Sequence, residues 1–172
     1  MSALRAGLRV EPLGRQHDRG AFTSGVEALD RYIGQQASQD VKKHFASVFV
    51  MVHEEREGDI LGFYSLSMAS VPLGSLPEAQ RAAMPRYPNV PAARLGRLAV
   101  SSSSQGQGLG GLLLVDALLR AARSDLAWAA FVVDAKDERA VFFYKKFGFL
   151  AFQDEPRRLF LPRASVAVLA RG

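Results

Sequence analysis

Four glycines fall within six residues of the run Gln105-Gly106-Gln107-Gly108-Leu109-Gly110-Gly111. Glycine lets a backbone approach phosphate oxygens with no side chain in the way, and the N–H groups that open a helix favour negative charge. After the run, apolar residues recur at helical spacing at Leu112, Val115, Leu119 and Ala122. The sequence therefore predicts a phosphate-binding turn that leads into a helix; the alternative is a glycine-rich turn without a ligand.

Two nucleotide-binding motifs can be compared with this run. A P-loop ends in Gly-Lys-Ser/Thr, whereas here Gly110-Gly111-Leu112 stands at that place, so a P-loop is excluded. The spacing Gly106-x-Gly108-x-x-Gly111 matches the dinucleotide fingerprint, which belongs at the first strand of a parallel strand–helix–strand unit. Only about 60 residues follow the run, and the half before it has an antiparallel pattern. We interpret this match as accidental.

Tyr144 is the side chain best suited to proton donation. A phenol with a pKa of about 10 stays protonated at neutral pH and can donate a proton or a hydrogen bond. The competing interpretation is a core tyrosine, because Phe142, Phe143 and Phe147 surround it in the sequence. Residue type alone favours the core.

Composition narrows the classes of partner and site. The net charge is +5 and the chain has no cysteine, which excludes disulfides, thiolate zinc sites and a thiol nucleophile. The three histidines lack metal-ligand spacing, so no metal is predicted. A basic surface attracts polyphosphates and nucleic acids alike. No stretch of about 20 apolar residues and no signal-peptide pattern occurs, so we expect a cytoplasmic protein without a membrane span.

The first half of the chain reads mainly as strands. Residues 8–13 predict a short strand, and Ser24-Gly25-Val26-Glu27 has the form of a capping box before an apolar helical stripe. Residues 45–52 and 60–71 are rich in β-branched and aromatic residues on either side of a turn, which predicts an antiparallel hairpin.

The second half alternates strands with helices. Five of the eight prolines lie in residues 72–91, which predicts a long irregular loop of functional importance. A strand follows at 94–100, and another at 128–133. Asp137 can cap a helix that runs to Phe147, with Gly148 as its stop. Residues 149–152 and 157–161 complete a mixed α/β fold, predicted as one domain over residues 1–172.

The spacing Gln105-x-x-Gly108-x-Gly110, together with Phe143-Tyr144-x-x-Phe147-Gly148-Phe149, resembles the coenzyme A motifs of the GNAT N-acetyltransferases. The resemblance implies a mixed central sheet with an antiparallel N-terminal half, splayed central strands and flanking helices. It implies acetyl-CoA as cosubstrate and Tyr144 as the acid that protonates the leaving thiolate. The implied cofactor contacts are backbone groups of Leu98, Ala99, Val100, Gln105, Gly106, Gln107, Gly108, Leu109, Gly110 and Gly111.

Flanking motifs resemble one GNAT subgroup, the toxins of bacterial toxin–antitoxin modules. These motifs are Phe22-Thr23-Ser24-Gly25, Gly62-Phe63-Tyr64-Ser65-Leu66-Ser67, Tyr87-Pro88, Leu95-Gly96-Arg97-Leu98-Ala99-Val100 and Leu159-Phe160-Leu161-Pro162. The resemblance implies transfer of acetyl to the α-amine of an aminoacyl-tRNA, which blocks translation, a ribbon-helix-helix antitoxin and a homodimer. One departure is Ser101, where an acidic residue is expected.

Arg86, Arg94 and Arg97 lie in or just after the proline-rich stretch and are the candidate RNA-phosphate contacts. Taken singly, each is more simply a solvated charge. No carboxylate occurs in residues 94–100, which leaves Asp134 and Glu138 as possible general bases.

The absence of an evident base favours an α-amine, with a pKa of about 7.7–8.0, over a lysine with a pKa of about 10.4. The alternatives are a GNAT enzyme acting on a small amine or protein N-terminus, and an RNA-binding module without catalysis. The second lacks an aromatic RNA-binding signature and leaves the glycine run unexplained.

Overall fold

The computed structural model describes residues 5–171, and its strands form one seven-stranded sheet in the order β1-β2-β3-β4-β5-β7-β6. The strands are β1 Leu8–Pro12, β2 Ser47–His53, β3 Gly62–Pro72, β4 Asn89–Val100, β5 Ala130–Asp134, β6 Leu150–Ala151 and β7 Arg158–Pro162. The helices are α1 Glu27–Arg31, α2 Ala37–Lys42, α3 Glu78–Ala82, α4 Leu109–Ala122, α5 Glu138–Lys146 and α6 Arg163–Arg171. A π-helical turn, Tyr32–Gln36, joins α1 to α2.

The sheet is mixed, as predicted. β1 with β2, β2 with β3, β5 with β7 and β6 with β7 pair antiparallel, whereas β4 and β5 pair parallel. The described chain divides into two compact units, one of residues 5–67 and 96–117 and the other of 68–95 and 118–171. Residues 1–4 and 172 of the predicted domain lie outside the described residues, and a single domain over 1–172 stays a prediction.

In the first unit, the β1–β2–β3 meander packs its apolar face against the helical segment. Val48, Val50 and Val52 alternate along β2 and lie in one cluster with Ile33 and Phe63, as the twofold period of a half-buried strand requires. The predicted hairpin is therefore confirmed.

The predicted capping box is wrong. The helix begins at Glu27 without a side-chain cap, because the Ser24 hydroxyl instead donates to Asp30 Oδ1 at 2.7 Å and accepts from the Val26 N–H at 3.2 Å. Ser24 thus closes a local turn with Asp30 and leaves the first turn of α1 uncapped.

Gly62 permits a close approach at the start of β3. A Cβ at this position would lie 2.8 Å from the Ala99 carbonyl oxygen and 2.7 Å from Leu113 Cδ1, distances that essentially no real side chain tolerates. Glycine at this position therefore sets how closely β3 passes the C-terminal end of β4.

In the second unit, the parallel register runs from Ala92 opposite Ala130 to Leu95 opposite Val133. β4 continues beyond this ladder to Val100. β4 begins at Asn89, earlier than the predicted start at residue 94. The proline-rich stretch before it is partly regular, because it contains a 3₁₀ turn, Leu73–Ser75, and α3.

The predicted boundaries of α5 are confirmed. Asp137 Oδ1 accepts from the Ala140 N–H at 2.8 Å and caps the helix. Gly148 follows the helix with φ +93°, the left-handed conformation in which helices commonly end. This geometry fixes the last turn of the helix that carries Tyr144.

Candidate active site

The glycine run is an exposed turn at the start of α4. Residues 105–108 are exposed, Gly106 and Gly108 have φ +81° and +80°, and the helix begins at Leu109. The first N–H to bond back onto the turn is that of Leu112, which donates to the Gly108 carbonyl at 3.3 Å. Within residues 5–171, no acceptor bonds the backbone N–H groups of 106–111. Exposed N–H groups beside left-handed residues at a helix start can bind an anion, so the turn suits a pyrophosphate.

The Gln105 side chain links this turn to other segments of the first unit. Its Nε2 donates to the Ser24 carbonyl at 2.8 Å and to the Val100 carbonyl at 3.1 Å. The amide therefore uses both donors on protein carbonyls. Among the predicted cofactor residues, Gln105 acts on the shape of the turn, and only its backbone stays available for a ligand.

Replacing Gln105 by glutamate is expected to weaken acetyl-CoA binding through the turn. Carboxylate oxygens in place of the amide N–H groups would face two carbonyl oxygens, so about 1–3 kcal/mol of hydrogen bonding is lost. We expect this loss of free energy to raise the KM for acetyl-CoA about tenfold. Steady-state kinetics would measure it, with Gln107→Glu as the control because no hydrogen bond of the Gln107 side chain to a described residue is found. Equal effects of the two changes would show that added charge alone is responsible.

Arg5 is a residue that sequence reasoning missed. Its guanidinium donates to the Gln107 carbonyl, and its Nη2 lies 3.1 Å from the place where a Cβ of Gly108 would stand. A cation beside an anion-binding turn adds to the attraction. No local pattern links Arg5 to a turn so distant in the chain, so only the folded structure reveals it.

The end of β4 supplies the predicted backbone groups. Ala99 is buried in the core, whereas Leu98 and Val100 are partly exposed. The described ladder with β5 stops at Leu95, so residues 96–100 lie beyond the parallel pairing. β3 is the neighbour of β4 on its other edge, so only the backbone groups of residues 96–100 that do not face β3 need other partners and are suited to a ligand.

Tyr144 combines a buried ring with an unpaired hydroxyl. It is 7% exposed, and its ring packs on Phe143 and Phe149 at centroid distances of 5.1 and 5.4 Å. Burial raises the pKa of its phenol well above the ordinary value. No acceptor for the hydroxyl occurs among the described residues, and its oxygen keeps some access to solvent, since it is not one of their buried polar atoms without a partner. The ring is core, as residue type suggested, while the hydroxyl is left to serve a ligand.

The three candidate RNA-binding arginines differ in their surroundings. Arg86 is exposed in the turn between α3 and β4. Arg94 Nη2 lies 3.2 Å from Asp134 Oδ2 in an ion pair. The Arg97 guanidinium lies over the ring of Tyr32, with Cζ 3.7 Å from the centroid. Of the three, Arg97 is the one that lies over an aromatic ring, and no hydrogen bond of its guanidinium to another residue of the described chain is found.

The carboxylates considered as bases are ion-paired. Asp134 is held by both Arg94 and Arg158, and Glu138 by Arg157 at 3.3 Å. Buried His17 has a structural role, because its Nδ1 accepts from the Gly14 N–H at 2.9 Å and its Nε2 faces Glu11 at 2.7 Å. The two carboxylates and His17 thus have structural roles, and the described residues provide no evident general base.

Across residues 5–171, no helix has both the length and the apolar character needed to cross a bilayer.

Comparison with known proteins shows what the chain is similar to. The sequence profile of the acetyltransferase (GNAT) family matches residues 15–149. A probable toxin TacT of Sinorhizobium fredii is 30% identical over 170 residues, covering 93% of each chain. A tRNA-acetylating toxin of Mycobacterium tuberculosis is 35% identical over 146 residues, covering 84% of this chain and 85% of the toxin.

Solved structures share the fold. AtaT in complex with acetyl-methionyl-tRNAfMet superposes with a TM-score of 0.87 at 28% identity, covering 95% of this chain and 99% of AtaT. A tyrosine-to-phenylalanine mutant of KacT gives 0.88 at 29% identity with the same coverage. A mutant AtaT bound to the C-terminus of the antitoxin AtaR and to acetyl-CoA gives 0.80 at 25% identity, covering 96% and 99%.

Proposed function

Because the chain belongs to the acetyltransferase (GNAT) family, we propose that it transfers acetyl from acetyl-CoA to the α-amino group of an aminoacyl-tRNA and thereby inhibits translation as a toxin. The observation that carries the substrate is the structural neighbour AtaT, which was solved with acetyl-methionyl-tRNAfMet, an aminoacyl-tRNA bearing an acetyl group. A relative named as a tRNA-acetylating toxin supports the same class of substrate.

The site residues take these proposed roles on the basis of their chemistry. Acetyl-CoA, which supplies the activated acetyl thioester, is held at its pyrophosphate by backbone N–H groups of residues 105–111, and at its thioester end by backbone groups of Leu98, Ala99 and Val100. The exposed N–H groups of the turn, which have no acceptor in the described chain, support the first assignment. Tyr144 donates its proton to the leaving thiolate, because burial keeps its phenol protonated and its hydroxyl has no acceptor among residues 5–171.

The substrate amine explains the lack of an evident base. An α-amino group with a pKa of about 7.7–8.0 is partly neutral at physiological pH, so a fraction of the substrate can attack without a protein carboxylate. The candidate carboxylates Asp134 and Glu138 are engaged by arginines. Arg86, Arg94 and Arg97 are the proposed phosphate contacts that hold the RNA.

The partners follow from the same assignment. A neighbouring toxin is bound to the C-terminus of its antitoxin, and we expect an antitoxin here as well, of the ribbon-helix-helix class. The working unit is a homodimer of single-domain chains. The substrate is met in the cytoplasm, where charged tRNA is used.

Labelled acetyl-CoA and total charged tRNA test the proposal directly. We expect label on the amino acid of a tRNA species, in a form lost after the aminoacyl ester is hydrolysed, and none on deacylated tRNA. Small amines and peptides with free N-termini are offered in parallel reactions. Label on these with none on charged tRNA would favour the alternative acetyltransferase, and tRNA binding without any label would favour the RNA-binding module.

A further inference from the structure

The guanidinium of Arg97 is held by a built support. Its Cζ lies 3.7 Å above the centroid of the Tyr32 ring, a distance at which a cation is attracted by the face of an aromatic ring. The side chain is exposed, and among residues 5–171 no carboxylate or carbonyl accepts from it. Arg97 is thus held over an aromatic ring with the Asp40 carboxylate near enough to attract it, and within residues 5–171 its N–H groups have no hydrogen-bond acceptor.

Tyr32 is itself held in place by neighbouring side chains. It is only 4% exposed, its ring stacks on Phe63 at 6.2 Å, and its hydroxyl donates to Asp40 Oδ2 at 2.9 Å. Asp40 also accepts from Gln36 Nε2 at 2.9 Å. Tyr32 and Gln36 begin and end the π-helical turn, a feature that is rare and frequently found at functional sites.

Tyr32 and Asp40 each keep one charge state at neutral pH. Burial, followed by the hydrogen bond to Asp40, raises the pKa of Tyr32 to about 12. The hydrogen bond from Gln36, with a smaller one from Tyr32, lowers the pKa of Asp40. The ring therefore stays neutral and Asp40 anionic, so Arg97 faces a stable aromatic surface with a fixed anion behind it.

The other two arginines lack such a support. Arg94 is paired with Asp134, and neither it nor Arg86 lies over a ring in the described chain. Lys42 and Lys43 are exposed at the end of α2, and neither lies over an aromatic ring in the described chain. A planar guanidinium with free donors binds the oxygens of a phosphate in pairs, which an ammonium does not.

We propose that Tyr32, anchored by Asp40, is a positioning residue that presents Arg97 to a phosphate of the aminoacyl-tRNA. This inference rests on the proposed function. Acetyl-CoA also carries phosphates, but the turn at 105–111 offers them its own N–H donors. We therefore assign Arg97 to the RNA backbone, alongside the proposed contacts of Arg86 and Arg94.

The test compares four single variants with the wild-type chain on the aminoacyl-tRNA that the labelling experiment identifies. Arg97→Gln and Arg97→Lys are both expected to raise the KM for aminoacyl-tRNA about tenfold, because lysine keeps the charge but not the stacked fork. Tyr32→Leu should do the same, whereas Tyr32→Phe, which keeps the ring, should stay within about threefold. The KM for acetyl-CoA and the kcat should be unchanged in all four.

Salt dependence supplies a readout that a loss of folding would not mimic. Loss of one phosphate contact should lower the slope of log(1/KM) against log[salt] by about 0.7–0.9 in Arg97→Gln. Arg56→Gln, which removes an exposed arginine paired with Asp59, is the control and should leave both values near wild type. In the Arg97→Gln background, Tyr32→Leu should add nothing, because the two act on one contact.

Several outcomes would overturn the inference. An Arg97→Lys variant with wild-type KM and slope would show that charge alone suffices, and this variant decides the question if Tyr32→Leu does not fold. A rise in the KM for acetyl-CoA instead of aminoacyl-tRNA would assign the phosphate to the cosubstrate. Failure of the proposed function is seen separately, because the wild-type chain would then acetylate no aminoacyl-tRNA.

Discussion

Replacement of Tyr144 by phenylalanine should lower kcat about 100-fold while both KM values stay within about twofold, the loss typical of removing a general acid. The ring contacts with Phe143 and Phe149 are kept, and the hydroxyl has no acceptor among the described residues, so the free energy of unfolding should hardly change. Steady-state kinetics and thermal unfolding of the same preparations would measure the two quantities.

Tyr64→Phe is the matched control, because it removes a hydroxyl from another buried tyrosine. Tyr64 donates to Asp116 Oδ2 at 2.5 Å, so this variant should lose about 1–3 kcal/mol of stability and keep its kcat. The two variants thus have opposite expected patterns. A Tyr144→Phe enzyme with wild-type kcat would remove the acid role and leave Tyr144 as a core residue.

The pH dependence of the wild-type rate follows from the same proton. Burial raises the pKa of Tyr144 above the ordinary value, so the phenol keeps its proton across the neutral and mildly alkaline range. Raising the pH converts more of the α-amine, with a pKa of about 7.7–8.0, to its neutral form. The value of kcat/KM, measured from initial rates, should therefore rise with pH and level off below about pH 9. A fall in that range would show that another group supplies the proton.

The elements that could be predicted from sequence are those whose chemistry is local. Asp137 caps α5 and Gly148 ends it because a carboxylate and a glycine suit these positions wherever they occur. The glycine run opens α4 for the same reason. The predicted capping box is wrong because the Ser24 hydroxyl bonds Asp30 instead of the helix N-terminus. A short sequence pattern does not show which of two possible partners a side chain takes.

The residues of the candidate site could be named from the sequence, but the contacts that they make could not. Arg97 was named as one of three similar arginines, and nothing in the sequence set it apart. Its distinction comes from Tyr32, which a π-helical turn places beneath it. The contact of Arg5 with the turn and the hydrogen bond of Gln105 to Ser24 could not be predicted either, since each joins segments distant along the chain.

Gly108→Ala is expected to raise the Kd for acetyl-CoA at least about 30-fold with only a small loss of stability. Gly108 has φ +80°, which costs an alanine about 1–2 kcal/mol. Its Cβ would stand 3.1 Å from Arg5 Nη2, the movable end of a side chain, so the core is not disturbed. The turn can relax only by rotating its backbone, and that rotation turns the N–H groups away from the phosphates they would bind.

Calorimetric titration with acetyl-CoA would measure this effect, with Gly74→Ala as the matched control. Gly74 has nothing within 4 Å of its Cβ position and lacks a positive φ, so the alanine variant should bind acetyl-CoA as the wild type does. Gly106→Ala, with φ +81° and nothing within 4 Å, separates conformation from contact: a similar loss at Gly106 would show that the left-handed backbone itself makes the site. Wild-type affinity in both Gly106→Ala and Gly108→Ala would mean that the turn does not bind the pyrophosphate.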